Sequence, residues 1–341
     1  MNALAYCVAK YGGYNAYTIP TIRRLQKAMF AKDKVLTLVD DDEIASTEDV
    51  GGFENAIEFA EECKVCFGPE AKAVNLKRPK GCLLVGVPGT GKSLFGKMIA
   101  RILGLPLIIY DVAAQFGSLV GETEAATRKA LEQIKAKGPS VVLIDEADKL
   151  FSGMGGSNND SGVSMRMLGR ILSFMANENE ETFVVMTMNR TLGVPPELLR
   201  AGRLDALFYA TFPTERERLD ILGIHLRKNG ADIAAYQQRD MDELVKLTDR
   251  YVGAELEQIA IKAVRSAFKA RRTVTPTIAE LVAAKQAITP VAMLDEEGIR
   301  HMDEFGKTRA QPVSKAEVAS KVFVARPSRR QIRTGPVPSD N

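Results

Sequence analysis

The residues with the most chemistry to offer stand together: Gly86-Val87-Pro88-Gly89-Thr90-Gly91-Lys92-Ser93. Their spacing is GxxxxGK[ST], that of a loop wrapped around a polyphosphate. Glycines let successive backbone N–H groups turn inward on the anion. Lys92 reaches the β- and γ-phosphates, and Ser93 offers a hydroxyl to magnesium. A second constellation follows downstream, the apolar run Val141-Val142-Leu143-Ile144 ending in Asp145-Glu146. Two carboxylates at a strand end are otherwise an ordinary solvated terminus. Beside bound phosphates, however, Asp145 can hold magnesium through water and Glu146 can polarise the water that attacks the γ-phosphate. The ligands this chemistry calls for are a polyphosphate and magnesium.

These groups need a frame. Cys82-Leu83-Leu84-Val85 has the apolar continuity of a short buried strand, and Leu94, Met98, Ile99 and Ile102 recur at helical spacing until Gly104 stops the helix. Strand, glycine-rich loop and helix start thus come in the order a phosphate site requires, with the positive end of the helix facing the anion. Further strands are expected at Leu107-Ile108-Ile109-Tyr110, at residues 141–144 and at residues 183–188, the last with Asn189 at its carboxyl end. Helices are expected at 56–67, 125–136 and 165–175, and loops at 115–124 and at the Gly/Asn/Ser-rich stretch 151–162. Alternating strands and helices predict a parallel sheet with ligands at the carboxyl ends of the strands, where Lys92, Asp145 and Asn189 fall.

From residue 215 the pattern turns wholly helical, at 215–228, 241–250, 254–271 and 278–286. The fold class expected is therefore α/β, a P-loop NTPase parallel sheet flanked by helices, followed by a small all-helical lid. The boundaries read as an N-terminal helical segment at 1–46, a large α/β nucleotide-binding domain at 47–213, a helical lid at 214–289 and a C-terminal extension at 290–341. In that extension the pattern thins, and residues 326–341 read as a disordered tail. Tyr6, Tyr11, Tyr14 and Tyr17 suit either a stacking surface for bases or, more simply, the packing of a helical hairpin. Asp40-Asp41-Asp42-Glu43 reads as a solvated linker.

Composition sets the outer bounds. The 341 residues are 45% hydrophobic and 26% charged with a net charge of +3, ordinary for a globular protein and unlike a general polyanion binder. No run approaches the length of a bilayer span and no secretory leader follows Met1, so a cytosolic or stromal setting is expected, without membrane. The four cysteines make no disulfide framework. Cys63 and Cys66 read as two positions on one helix face, with redox or metal chemistry as the alternative.

Several motifs together resemble the AAA+ ATPases of the AAA-proper branch, which includes the unfolding motors. The resemblance covers residues 48–288. Glu48-Asp49-Val50-Gly51-Gly52 is similar to the segment that faces adenine, residues 86–93 to Walker A, and Leu143-Ile144-Asp145-Glu146 to Walker B. Thr187-Met188-Asn189-Arg190 resembles sensor 1, which implies that Asn189 meets the attacking water or the γ-phosphate. Glu197-Leu198-Leu199-Arg200-Ala201-Gly202-Arg203-Leu204-Asp205 resembles the second region of homology, with Arg203 as arginine finger. His225 matches a lid histidine near base and ribose, and Gly253-Ala254 a lid segment that contacts nucleotide. A closer resemblance, to the ycf-type AAA proteins of cyanobacteria and plastids, rests on Phe116-Gly117-Ser118-Leu119-Val120-Gly121-Glu122, Asp160-Ser161-Gly162, Pro195-Pro196-Glu197-Leu198-Leu199-Arg200 and Arg309-Ala310-Gln311-Pro312-Val313-Ser314. Those relatives carry a further N-terminal region, so the chain is expected to be a short relative, viral or otherwise, or a fragment; plastid stroma or host cytoplasm would then be its place.

The resemblance implies a nucleotide-binding set of Asp49, Val50, Gly51, residues 86–93, Leu94, His225, Gly253 and Ala254. Its catalytic residues are Lys92, Asp145, Glu146, Asn189 and Arg203, and Ser93 and Asp145 serve magnesium. It also implies a ring of identical copies, usually six, in which Arg203 serves the neighbour's ATP and Leu119-Val120-Gly121 forms the axial pore loop. Two departures stand out. Ala206 occupies the place of a common second arginine, and Leu119 that of the usual pore aromatic. No HExxH is present, which excludes a fused metalloprotease. The leading reading is an ATP-driven ring acting on a protein substrate or adaptor. An ATP-dependent nucleic-acid machine is the first rival, served by Lys77-Arg78-Pro79-Lys80 and the basic tail. A nucleotide-dependent ring scaffold is the second.

Overall fold

In a chain whose apolar runs carry no alternating polar residues, strands must be covered on both faces. The computed structural model, which describes residues 30, 35–40, 43–115, 120–150, 160–178, 181–191, 194–195, 197–198, 200 and 202–315, has them so. Its strands are β1 (Leu36–Leu38), β2 (Gly81–Gly86), β3 (Leu107–Tyr110), β4 (Ser140–Ile144), β5 (Thr182–Met188), β6 (Ala206–Ala210) and β7 (Gln311–Pro312). Every residue of β2, β4 and β5 is buried. The seven strands form one sheet in the order β1-β3-β4-β5-β2-β6-β7. β1 runs antiparallel to β3, and all other neighbours are parallel.

The helices of the sheet region are α1 (Glu54–Lys64), α2 (Lys92–Leu103), α3 (Val120–Lys137) and α4 (Asp160–Ser173). One face of the sheet packs with α1 and α2 around Phe95, Phe183 and Phe208. The other packs with α3 and α4 around Tyr110, Ile134 and Met167. Cys63 is buried and Cys66 half-buried at the end of α1 and its 3-10 continuation, and Cys82 is buried in β2; all three are free thiols. Burial pushes the Cys63 thiol up to about 12, so it is a packing residue rather than a thiolate.

Beyond β6 the chain becomes helical: α5 (Glu215–Lys228), α6 (Gln238–Lys246), α7 (Gly253–Arg271) and α8 (Ile278–Gln286) enclose a core of their own around Leu222, Met241, Leu256 and Ile259. Thr214 caps α5 and Thr277 caps α8, each in a reciprocal capping box with the glutamate three residues on.

The structure corrects several readings. Residues 36–38, read as part of a helical segment, form β1 and pair with β3. Helix α3 starts at Val120, so positions 120–124 are helical rather than loop, as are 160–162 at the start of α4. Within the supposedly thin extension, α9 (Glu296–Arg309) buries Ile299, Met302 and Gly306, and β7 continues it onto the sheet edge. Tyr6, Tyr11, Tyr14, Tyr17, Leu119 and the tail after 315 lie outside the described residues.

Helix α9 docks over β6 through one close approach. An added Cβ at Gly306 would lie 2.3 Å from the Tyr209 ring, whose hydroxyl bonds to Asp303 one turn earlier. Gly306→Ala should therefore displace the helix or the ring and cost about 1–3 kcal/mol. Gly169→Ala, at an exposed helical position with nothing within 4 Å of the new methyl, should be neutral or stabilising. Chemical denaturation of the pair checks this, and equal stabilities would mean that α9 is loosely held.

Candidate nucleotide site

Between β2 and α2 the chain must reverse within a few residues while aiming its N–H groups at one point. Gly89 and Gly91 make this possible with φ of 84° and 88°, in the left-handed region. Gly91 is the N-cap of α2. A side chain at Gly89 would also meet the lid, since its Cβ would fall 2.8 Å from Val252 Cγ2. The loop carbonyl of Gly89 accepts from Ala254 N–H at 3.0 Å, so Gly253-Ala254 at the start of α7 touch the loop directly.

Lys92 is buried, and its ammonium donates to the carbonyls of Gly86 and Val87 at 2.8 Å each. Burial pulls its pKa down to about 8, against the upward pull of Asp145, Asp148 and Glu146. A cation held dry beside a cradle of N–H groups is the electrostatic requirement for a polyphosphate.

The acidic side is assembled by strand register. Ile144 pairs with Met186, so Asp145 and Thr187 come next to each other at the carboxyl ends of β4 and β5. The Thr187 hydroxyl donates to Asp145 Oδ1, and Ser93 Oγ donates to Asp145 Oδ2 at 2.5 Å. The Glu146 N–H donates to Thr187 Oγ1 at 3.0 Å. Glu146 has φ of 53°, unusual for a residue with a side chain, and this turns its carboxylate toward Asn189. Asn189 Nδ2 donates to Glu146 Oε1 at 3.3 Å, while Lys149 pairs with the other carboxylate oxygen. Asn189 is placed in turn by its own N–H, which donates to Asp148 at 3.0 Å.

Ser93 and Asp145 fit magnesium by chemistry: one hydroxyl and one carboxylate oxygen, both hard donors, converge beside the phosphate cradle. That small donor set suits an ion that keeps water and substrate oxygens, and among the described residues no cluster of three or more metal-ligating side chains offers a full protein cage.

Between loop and lid lies a cleft of about 480 Å³ that joins Lys92, Ser93, Asp145, Glu146 and Asn189 to Asp49, Val50, Gly51, His225, Gly253 and Ala254. Lys228 on α5 reaches across it to Asp49 at 2.8 Å. Burial pushes the Asp49 carboxyl up, but hydrogen bonds from Lys228 and Ser46 outweigh that and hold it low. His225 is lowered by burial, with Glu257 pulling the other way, and its Nδ1 lies 3.5 Å from Glu257 Oε1. Burial therefore favours a neutral imidazole at this end.

Arg203 stands apart. It precedes β6, whose Ala206 pairs with Cys82 near the start of β2, whereas the phosphate loop follows Gly86 at its end. At about 3.3 Å per residue those two positions lie roughly 13 Å apart along β2, so Arg203 and the phosphate loop stand at opposite ends of the strands. The Arg203 guanidinium donates to the Glu197 carbonyl at 3.1 Å. Val120 and Gly121 begin α3.

Sequence reading missed Thr187, Asp148, Lys149, Lys228 and Glu257. Each acts through a partner from another element or turn. Thr187 alone carried a signal, as the polar residue interrupting an apolar strand two positions before Asn189.

Comparison with known proteins follows this geometry. Residues 82–212, which hold the phosphate loop, the two carboxylates, Asn189 and Arg203, match the ATPase family associated with various cellular activities (AAA). The uncharacterized AAA domain-containing protein ycf46 of Guillardia theta is 31% identical over 309 residues, 90% of this chain and 60% of that protein. Its counterpart in Pyropia yezoensis is 32% identical over 308 residues, 90% of this chain and 61% of that protein. The chain thus spans about three fifths of the length of these relatives. The crystal structure of the FIGL-1 AAA domain superposes with a TM-score of 0.64, covering 83% of this chain and 95% of that one; at 23% identity it speaks for the fold alone. The chain therefore carries an AAA domain, that of the ATPase family associated with various cellular activities, and over most of its length it is similar to the ycf46 proteins.

Proposed function

We propose that the chain is a magnesium-dependent ATP hydrolase that works as a ring of identical copies and remodels a protein partner. The observation that supports the shared-site reading is the place of Arg203, at the strand ends opposite its own phosphate loop. An arginine there serves a phosphoryl group only if that group is bound by another copy. Head-to-tail contacts of this kind close into a ring when the rotation closes, and the resemblance implies six copies.

Within one site, Lys92 and the loop N–H groups hold the β- and γ-phosphates. Magnesium, held by Ser93 and through water by Asp145, would neutralise phosphate charge. Glu146 orients and polarises the attacking water, with Asn189 steering both its carboxylate and the water. Asp49, Val50 and Gly51 on one side and His225, Gly253 and Ala254 on the other enclose base and ribose. Arg203 from the neighbour stabilises the charge that spreads over the transferred group.

A protein partner is favoured over nucleic acid by what the basic stretch does. Arg78 lies over the Phe67 ring and 3.9 Å from Glu181, and the Lys80 ammonium is bound to two main-chain carbonyls, so two of its three cations are engaged within the chain.

Mixing variants tests the shared site. Arg203→Ala should bind ATP normally and hydrolyse it about 10³-fold more slowly, the low end for a finger. Lys92→Ala should not bind ATP, because the buried charge facing the phosphates is gone. Neither hydrolyses ATP alone at a useful rate, yet mixed rings contain interfaces with an intact loop from the first and an intact finger from the second. Partial activity should return, and no rescue in verified mixed rings would count against the reading. ATPase assays with added protein or DNA, run in parallel, separate a protein machine from its nucleic-acid rival and from a scaffold that responds to neither.

Two further outcomes concern the cleft. Glu146→Gln should keep magnesium-dependent ATP binding and stop turnover, whereas Asp145→Asn should weaken the magnesium dependence itself; identical profiles in calorimetric titrations would refute that division. Lys228→Met frees a half-exposed pair, so ATP affinity should fall only about two- to fivefold.

A further inference from the structure

We propose that Lys80 is the positioning residue of the Arg203 loop, so that the finger offered to a neighbouring copy is aimed from the first residues of β2. The proposal rests on the reading of Arg203 as a finger that acts in another copy. Residues 80 and 81 grip the loop on both sides of the arginine. On the side before it, Lys80 Nζ donates to the Gly202 carbonyl at 2.8 Å. On the side after it, the N–H groups of Lys80 and Gly81 both donate to Asp205 Oδ2, at 2.5 Å and 2.9 Å, and Asp205 N–H returns a bond to the Gly81 carbonyl at 2.9 Å. Arg203 lies between the two grips.

The grip is itself anchored. The Lys80 carbonyl accepts from Val184 N–H at 2.8 Å, which fixes residue 80 to β5 in the middle of the sheet. Its ammonium has a second acceptor, the Ala176 carbonyl at 3.0 Å, in the turn Phe174–Glu178 that follows α4. One residue therefore joins three elements: its carbonyl binds β5, and its ammonium binds the turn after α4 and the finger loop. Gly202 has φ of 87°, in the left-handed region that glycine adopts without strain, and the lysine bond is made at that residue. Its bond to Gly202 is solvent-exposed, so the lysine is not there to satisfy a buried carbonyl. Its consequence is directional: without it, the loop keeps the Asp205 attachment after the arginine and loses the one before it.

Lys80→Met should fold and bind ATP with unchanged KM, because the phosphate loop lies at the other end of β2, while kcat falls about 10–100-fold from a misplaced finger. Lys80→Arg, which reaches and donates to the same two carbonyls, should restore most of kcat; an ordinary structural role for the stem would not discriminate in this way. Mixing gives the sharper readout. Lys80→Met with Lys92→Ala should regain activity, since the second supplies intact fingers to the intact phosphate loops of the first. Lys80→Met with Arg203→Ala should show no more than the mean of the two alone, since both lack a working finger. Should Lys80→Met melt early by circular dichroism, Lys80→Gln, whose shorter, uncharged amide does not span both carbonyls, takes its place with the same expectations. The proposal fails if Lys80→Met keeps full kcat while Arg203→Ala is inactive, if it loses ATP affinity, or if its mixture with Arg203→Ala is rescued. Full activity of Arg203→Ala would instead sink the finger reading itself.

Discussion

Strand Gly81–Gly86 lies between Thr182–Met188 and Ala206–Ala210, buried along its whole length, and its backbone groups are paired on both sides. That single placement sets the geometry of everything else. A parallel strand has two unlike ends, one where loops enter from the helix layer and one where they leave for it. The phosphate loop grows from the leaving end, with the amide of Asn189 arriving there on the adjacent β5 and the carboxylates of Asp145 and Glu146 on β4 beyond it. The Arg203 loop grows from the entering end. Since the strand cannot fold back on itself, the glycine loop and Arg203 stand at its opposite ends within one copy.

Inside the cradle, charge placement is bought with burial. Lys92 stands in a site that depresses its pKa, and only the nearby carboxylates and two loop carbonyls keep it favourable. Such a cation is more effective toward phosphate than a solvated one, because the low local dielectric strengthens its attraction. Glu146 is held on the other side by a backbone in the left-handed region and by bonds from Asn189 and Lys149. Fixed groups that need no rearrangement at the moment of reaction are what electrostatic catalysis asks for.

How much of this was legible in the sequence depended on whether a residue's role was local. The runs at 82–85, 107–110, 141–144 and 183–188 announced themselves because a strand covered on both faces must be apolar throughout. The phosphate loop did so because its glycine spacing is imposed by one ligand. β1 escaped notice because three residues, Leu36-Thr37-Leu38, are too few for a period, and β6 because Ala206 and Ala210 blunt the apolar signal of Leu207-Phe208-Tyr209. Helix α9 was hidden by its own packing: its contact residues Ile299, Met302 and Gly306 include a glycine, which reads as a breaker and serves here as the seat of an aromatic ring. Thr187, Lys228 and Lys80 were illegible for a different reason. Their partners, Asp145, Asp49 and Gly202, are distant in sequence and meet them only through sheet register or the lid's closure over the cleft.

The C-terminal strand adds a constraint on how lid and sheet can move. After β7, Val313 N–H bonds to the Tyr209 carbonyl at 3.0 Å, and Ser314 Oγ accepts from Phe53 N–H at 3.0 Å while donating to Glu217. Glu217 also accepts from Thr214 N–H at 2.7 Å, the cap of the first lid helix. One carboxylate thus joins the lid's starting turn to the strap and, through Ser314, to the segment that leads into the cleft. Behind that segment a cavity of about 230 Å³ is lined by Thr211, Phe212, Val313 and Ser314. On the cleft side the lid is tied twice more, by Lys228 to Asp49 and by Ala254 to Gly89. A lid held at its hinge by Glu217 and at its far contacts by these two bonds has little freedom to translate. Rotation about the hinge remains, and it must carry the base-facing residues and the phosphate loop with it. Any rotation about that hinge bears on the Ala254–Gly89 bond, so lid and glycine loop are coupled at that contact.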